Sequence, residues 1–229
     1  MISPQNLMGL DDSHLIDCQS GQYLQPQVCL AFKEMQKAAL ADGIDCQIAS
    51  GYRSFSRQLS IWQRKWTGEK ALLDINEKPL EFALLSDTEK LHAILTWSAL
   101  PGTSRHHWGT DFDVYDSQSV KQCGVPLQLV KSEYEDASGP CFSLNNWLSK
   151  NAEDYGFNRP YQHYKGGVAA EPWHLSYQTL AMQCMQHFDI AQLQQVLIEH
   201  HIGGLNLILD DIENIYQRYV LNQGMAFQE

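Results

Sequence analysis

The chain has 229 residues, of which 44% are hydrophobic and 19% are charged, and its formal net charge is −11 at pH 7. This length can bury one substantial core, so we expect one large domain, alone or with an appendage. A chain this acidic lacks the clustered Lys and Arg residues of a phosphate-backbone binder, so we expect no nucleic-acid partner.

The first half of the chain is predicted to contain three helices and one strand. Apolar spacing predicts, in order, a helix over 26–42, a strand over 44–50 and helices over 54–66 and 86–100. The last helix begins with Ser86 and Glu89, which have the spacing of a capping box.

The second half changes from mixed structure to helices alone. A strand is predicted over 110–115, a helix over 144–156 and a short strand over 171–177, followed by helices throughout 178–222. Residues 116–142 are polar and irregular apart from a strand-like piece at 127–130, so we expect a long functional loop there. We expect the helices after residue 177 to form an appendage that packs on the core.

The six cysteines are expected to be buried, reduced thiols. None of them forms a C-x-x-C pair, which excludes a zinc ribbon or a thioredoxin-like site. Their even number leaves disulfides open as an alternative.

Two segments carry residues suited to a metal site. In SRHHWGTDFDVYD, His106 and Asp113 lie seven positions apart on either side of Gly109. A catalytic zinc ion takes three protein ligands and leaves one position open, and imidazole and carboxylate groups suit it. EPWH supplies a third ligand, His174, and a carboxylate, Glu171. Strict strand alternation would place these two on opposite faces, unless the backbone is irregular near the intervening proline.

Three motifs together resemble the LAS metallopeptidases, named after lysostaphin, the D-alanyl-D-alanine peptidases and Sonic hedgehog. They are SGYRS (50–54), SRHHWGTDFD (104–113) and EPWH (171–174), and the resemblance covers roughly 26–180. The nearest branch is the VanY-like D-alanyl-D-alanine carboxypeptidases. The resemblance implies an α+β fold of the Hedgehog/DD-peptidase type, with a small, mainly antiparallel sheet flanked by helices. We expect a zinc peptidase domain over 1–177. The helical tail after 180 lies outside the resemblance, and the helical pattern predicts that 178–229 form a C-terminal appendage packed on the same domain.

The resemblance also implies a role for each residue of the site. His106, Asp113 and His174 would hold one zinc ion, which activates water and polarises the scissile carbonyl. Glu171 would act as the general base. Arg53 would stabilise the developing oxyanion or bind the terminal carboxylate of the substrate, and Ser104 would orient the substrate or a ligand histidine.

One position departs from the commoner pattern. Many members have alanine two residues before the metal aspartate, where this chain has Asp111. We expect Asp111 to share a strand face with Asp113 and to pair with Arg105 or another base, or to shape the substrate pocket.

The resulting hypothesis is a zinc-dependent D-alanyl-D-alanine carboxypeptidase or dipeptidase acting on peptidoglycan-derived peptides. One alternative is an endopeptidase that cuts within the peptidoglycan stem. Another is a non-catalytic, zinc-stabilised binding protein, which would need neither Glu171 nor Arg53.

The sequence carries no strong signal for export or membrane insertion. Residues 1–20 have no basic start and no long apolar run. No stretch approaches the ~18 apolar residues of a membrane span. We therefore expect a cytoplasmic protein without a membrane span, and the peptidoglycan substrate makes the periplasm the alternative.

Overall fold

A small antiparallel sheet lies at the centre of the computed structural model, which describes residues 2–223. The strands of the described chain are β1 (Ile16–Gln19), β2 (Gln22–Leu24), β3 (Cys46–Ser50), β4 (Asp111–Asp116), β5 (Phe157–Asn158) and β6 (His174–Tyr177). β1 and β2 form a separate hairpin, and the other four pair antiparallel in the order β3-β4-β6-β5. The predicted α+β fold with a small, mainly antiparallel sheet is confirmed.

Helices pack against this sheet and make up most of the remaining described residues. The α-helices are α1 (Pro4–Leu7), α2 (Pro26–Ala41), α3 (Phe55–Trp66), α4 (Asp87–Trp97), α5 (Ser117–Cys123), α6 (Lys131–Glu135), α7 (Phe142–Asn151), α8 (Gln178–Gln186), α9 (Ile190–Glu199), α10 (Leu205–Asp210) and α11 (Ile212–Ile215). A π-helical turn, Tyr216–Val220, extends α11. Within residues 2–223, each helix is too short or too polar to cross a membrane.

Local capping explains where two of the predicted helices begin. Ser54 accepts a hydrogen bond from the backbone of Arg57 at the start of α3. Ser86 and Glu89 form the expected capping box at the start of α4. Each contact satisfies a backbone N–H group that has no partner inside the helix.

The structure corrects the prediction of a long loop over 116–142. This segment contains α5, whose first turn Asp116 caps, and α6. The strand expected at 127–130 does not form, and the positive φ of Leu129, 56°, interrupts the extended backbone there. The strand expected over 171–177 begins at His174, after a turn.

The described residues form two large apolar cores and two smaller apolar clusters. The first packs α2 and α7 against the sheet, and its rings Phe32, Phe112 and Phe157 meet edge to face at centroid distances of 5.1 and 5.4 Å. The second joins α3 and α4 to the C-terminal helices through residues such as Trp62 and Leu197.

The prediction of reduced cysteines is wrong for one pair. Cys18 in β1 and Cys29 in α2 form a disulfide, because the hairpin brings their Cα atoms to 5.5 Å. The other cysteines are free thiols, and Cys46, Cys141 and Cys184 are buried as expected, whereas Cys123 is exposed.

Candidate functional site

Strand pairing assembles the predicted metal ligands. Asp113 of β4 lies opposite His174 of β6 in the sheet. His106 lies in a short 3-10 helix, Arg105–Trp108, that leads into β4. All three side chains are buried, and their ligand atoms lie within 4.8 Å of one another. The structure therefore brings together the triad that the sequence predicted.

A glycine makes this approach to β4 feasible. Gly109 has φ +67°, a left-handed backbone conformation that residues other than glycine rarely adopt. A Cβ atom at this position would collide with Leu15. Its carbonyl accepts a hydrogen bond from the backbone N–H of Gln25 at 3.0 Å. The sharp turn lets His106 and Asp113 face the same point.

The donor atoms fit a zinc ion. His106 donates from Nδ1 to the carbonyl of Gly51 at 2.9 Å, which leaves Nε2 directed at Asp113, 3.6 Å from Oδ2. Nδ1 of His174 lies 3.1 Å from Asp113 Oδ1. Ligand atoms at about 2.0–2.1 Å from a tetrahedral zinc stand roughly 3.4 Å apart. The two separations, which end on different oxygens of Asp113, lie on either side of that distance, and one ligand atom from each residue lies within 4.8 Å of the other two.

The electrostatics of the triad also favour a cation. Burial lowers the pKa of His174, but hydrogen bonds to Asp111 and Asp113 outweigh it and raise the pKa to about 9. Burial lowers the pKa of His106 to about 4, against the attraction of Asp113. The carboxylates thus stabilise positive charge at this position, so they would also stabilise a bound metal cation.

Glu171 faces the triad because the chain turns just before β6. The backbone N–H of His174 donates to the carbonyl of Glu171 at 3.2 Å. Glu171 Oε2 lies 3.6 Å from His174 Nδ1. Burial raises the pKa of Glu171 to about 7, with Asp113 adding to the rise and His174 and Arg53 opposing it. Because of this turn, Glu171 and His174 do not alternate along one strand, and both side chains reach the same site.

Arg53 reaches the same cleft from the segment after β3. Its Nη1 donates to Gln58 Oε1 at 2.9 Å, and its backbone N–H donates to the carbonyl of His106 at 3.2 Å. Burial lowers the pKa of Arg53, while Asp113 and Glu171 oppose that effect. These contacts fix the guanidinium beside the triad.

The triad opens into a cleft with a cavity volume of about 240 Å³. Arg53, Ser104, Glu171 and all three predicted metal ligands line it. Sequence reasoning missed other lining residues: Trp97, Thr103, Tyr161, Ile215, Tyr219 and Val220. The last three belong to the C-terminal helices, and no local motif in the sequence links them to a site so far away along the chain.

His107 turns away from the triad. Its Nε2 accepts a hydrogen bond from the backbone N–H of Gly102 at 3.1 Å, and its Nδ1 donates to the carbonyl of Arg53 at 2.5 Å. Burial lowers the pKa of this imidazole to about 3. The neutral ring thus ties two loops of the cleft together.

Comparison with known proteins finds a matching family model and several relatives. A family model described as "VanY: D-alanyl-D-alanine carboxypeptidase" matches residues 21–180. An uncharacterized protein of Haemophilus influenzae is 33% identical over 128 residues, 55% of this chain and 96% of that protein. A D-alanyl-D-alanine carboxypeptidase of Enterococcus faecalis is 28% identical over 169 residues, 72% of this chain and 52% of that enzyme.

A solved structure shows a similar fold. It is a mutant of the vancomycin-resistance D,D-pentapeptidase VanY in complex with Zn(II), and it is 23% identical in sequence. The TM-score is 0.51, and the match covers 77% of this chain and 86% of the other. The helices after residue 180 lie outside the family match.

Proposed function

Because the chain belongs to the VanY family of D-alanyl-D-alanine carboxypeptidases, we propose that it removes the terminal residue from D-Ala-D-Ala ends of peptidoglycan-derived peptides. The observation that carries the proposal is the position of Glu171 and Arg53 beside the His106–Asp113–His174 cluster in one cleft. A metallopeptidase needs these three components together: metal ligands, a base and a cation for the substrate.

We assign a single zinc ion to the cluster. Two imidazoles and one carboxylate match the ligand set of catalytic zinc sites, which keep a position open. Bound there, zinc would supply Lewis acidity, which activates water and polarises a peptide carbonyl. His106 and His174 would bind through Nε2 and Nδ1, the nitrogens that face Asp113.

Glu171 is the proposed general base. It would take a proton from the attacking water and deliver it to the amine that leaves. A base works best when its pKa lies near the operating pH, and burial raises the pKa of Glu171 to about 7. Its carboxylate lies next to the cluster, so the proton has a short path.

Arg53 is the proposed substrate cation. Its guanidinium has a planar set of N–H donors that suits a carboxylate or a developing oxyanion. Gln58 holds one end of this group. Ser104 lies in the wall of the same cleft, next to the His106 segment, where its hydroxyl would contact the substrate.

The test is mass spectrometry of a stem pentapeptide ending in D-Ala-D-Ala after incubation with the zinc-loaded chain. We expect release of one D-alanine, and loss of that release when a chelator is added. Larger fragments would instead indicate a stem endopeptidase. An uncut peptide, with zinc binding established, would indicate a zinc-stabilised binding protein.

A further inference from the structure

The side chain of Asp111 lies beside the cluster of metal ligands without belonging to it. It is fully buried, on the same strand as Asp113. Its Oδ1 atom lies 3.2 Å from Nε2 of His174.

Other contacts hold the Asp111 carboxylate in one orientation. Arg105 Nε donates to Oδ1 at 2.7 Å, and the hydroxyl of Thr110 donates to Oδ2 at 2.6 Å. Arg105 is itself held by Ser176, whose Oγ accepts a hydrogen bond from Nη2 at 2.6 Å. Asp111 and Ser176 pair across β4 and β6, so both strands support this network.

The two ring nitrogens of His174 face two different carboxylates. Nδ1 lies 3.1 Å from Asp113 Oδ1, and Nε2 faces Asp111. A neutral imidazole that binds a metal through Nδ1 carries its proton on Nε2. A carboxylate that accepts this proton selects the tautomer and orients the ring.

We propose that Asp111 is a positioning residue that accepts the Nε2 proton of His174 and thereby directs Nδ1 towards the metal. The inference rests on the zinc site of the proposed function and extends it to a residue outside the ligand set. Partners of this kind typically contribute about 10–100-fold to metal affinity or activity. Arg105 and Thr110 act one step further out, because they hold the carboxylate that His174 contacts.

A purely structural role for Asp111 is the competing explanation. Arg105 is almost fully buried, and a buried guanidinium needs an anionic partner, which Asp111 also provides. The two explanations differ in what they predict for zinc. If Asp111 only neutralises Arg105, replacing Asp111 changes the folding stability alone. If Asp111 positions His174, replacing it also weakens the zinc affinity of the folded protein.

The test is the zinc dissociation constant of full-length variants, measured by competition with a chromophoric chelator. Asp111→Asn keeps the size of the side chain and one acceptor oxygen but removes its charge. We expect this variant to bind zinc about 10–100-fold more weakly. The matched control is Asp116→Asn, the same change at a buried residue of β4 that caps α5. The control is expected to bind zinc as tightly as the unmodified chain.

A second variant removes the buried ion pair as a unit. Arg105→Met combined with Asp111→Ala leaves no unpaired charge in the interior, so it removes the folding penalty that a single change carries. We expect zinc binding to remain weak in this double variant. Binding as tight as in the unmodified chain, in this double variant that has no acceptor at position 111, would show that Asp111 merely neutralises Arg105 and would overturn the inference.

Imidazole ¹⁵N spectra of the zinc-loaded protein supply a readout independent of turnover. We expect the Nε2 proton of His174 to exchange slowly in the unmodified chain and quickly in the double variant. Equally slow exchange in both would contradict the role of Asp111. Neither measurement uses a peptide, so a chain that binds zinc but leaves D-Ala-D-Ala ends uncut would contradict the proposed function and leave this result intact.

Discussion

Glu171 and His174 share a cleft because the backbone turns between them, and that turn is a property of the folded chain. The sequence predicted both residues from the motif E-x-x-H, but alternation alone placed them on opposite faces. The partners of the site were harder to anticipate. Gln58 reaches Arg53 through a side-chain contact that depends on how α3 packs, and no spacing rule encodes such a contact.

Replacing Glu171 separates proton transfer from metal binding. We expect Glu171→Gln to lower kcat/KM for a D-Ala-D-Ala peptide by about 10²–10⁴, because the amide cannot accept the proton of the attacking water. Zinc content is expected to stay unchanged, since the metal ligands lie on other residues. Kinetics and metal analysis on the same sample check both parts, and near-normal turnover would show that another group is the base.

Lys65 gives a prediction for the pH dependence of stability. Its Nζ donates to Ser98 Oγ at 2.7 Å. Burial lowers its pKa from 10.5 to about 8, with Lys70 and Arg53 adding to the fall and Glu171 opposing it. Between these two values the unfolded chain binds a proton that the folded chain has released, so the free energy of unfolding rises with pH.

The variant Lys65→Met is expected to lose this rise. Urea unfolding at several values between pH 8 and pH 10.5, for the unmodified chain and the variant, measures the difference. The stability of the unmodified chain is expected to increase relative to the variant across that window. Parallel curves would show that Lys65 keeps an ordinary pKa in the folded protein.

At the scale of elements, the sequence predicted what periodicity and caps encode. The helices that begin after Ser54 and Ser86 lie where predicted, because capping and apolar spacing are local properties. β1, β2 and β5 were missed, because strands of two to four residues give only a weak alternating pattern. The strand expected at 127–130 does not form. Its apolar residues suggested a strand, but a strand also needs a neighbouring strand to pair with, which local composition does not reveal.

The hairpin of β1 and β2 depends on its covalent link to α2. We expect the variant Cys18→Ala/Cys29→Ala to lose about 3 kcal/mol of unfolding free energy, because the bridge restricts the unfolded chain over a sequence separation of 11 residues. Urea unfolding of the variant and of the unmodified chain under oxidising conditions measures this loss. Cys123→Ala, at an exposed free thiol, is the control and is expected to leave stability unchanged.

At the scale of the whole molecule, the C-terminal helices belong to both a core and the cleft. Leu193, Leu197 and Ile212 pack with residues of α3 and α4 in the second core. Tyr219 lines the cleft, and its hydroxyl lies 3.0 Å from His92 Nδ1. The sequence predicted helices that pack on the core, but it did not predict that they would form a wall of the site.

This arrangement predicts that the C-terminal helices unfold together with the rest of the chain. We expect Leu197→Ala to lower the free energy of unfolding by about 2–5 kcal/mol, since the side chain is fully buried. Ile198→Ala, at the next residue of α9, is the matched control, because the side chain of Ile198 is 49% exposed. Thermal unfolding followed by calorimetry and by tryptophan fluorescence should give one coincident transition. Two separate transitions would show that the helices form an independent unit.

Whether Cys18 and Cys29 are linked in the cell would report the cellular compartment in which the chain resides. Disulfides persist in oxidising compartments and are rare in the reducing cytosol. Alkylating all free thiols at the moment of lysis, followed by mass spectrometry of the denatured chain, would count them. The predicted cytoplasmic location calls for six alkylated cysteines. The periplasmic alternative calls for four, because the linked pair would be protected.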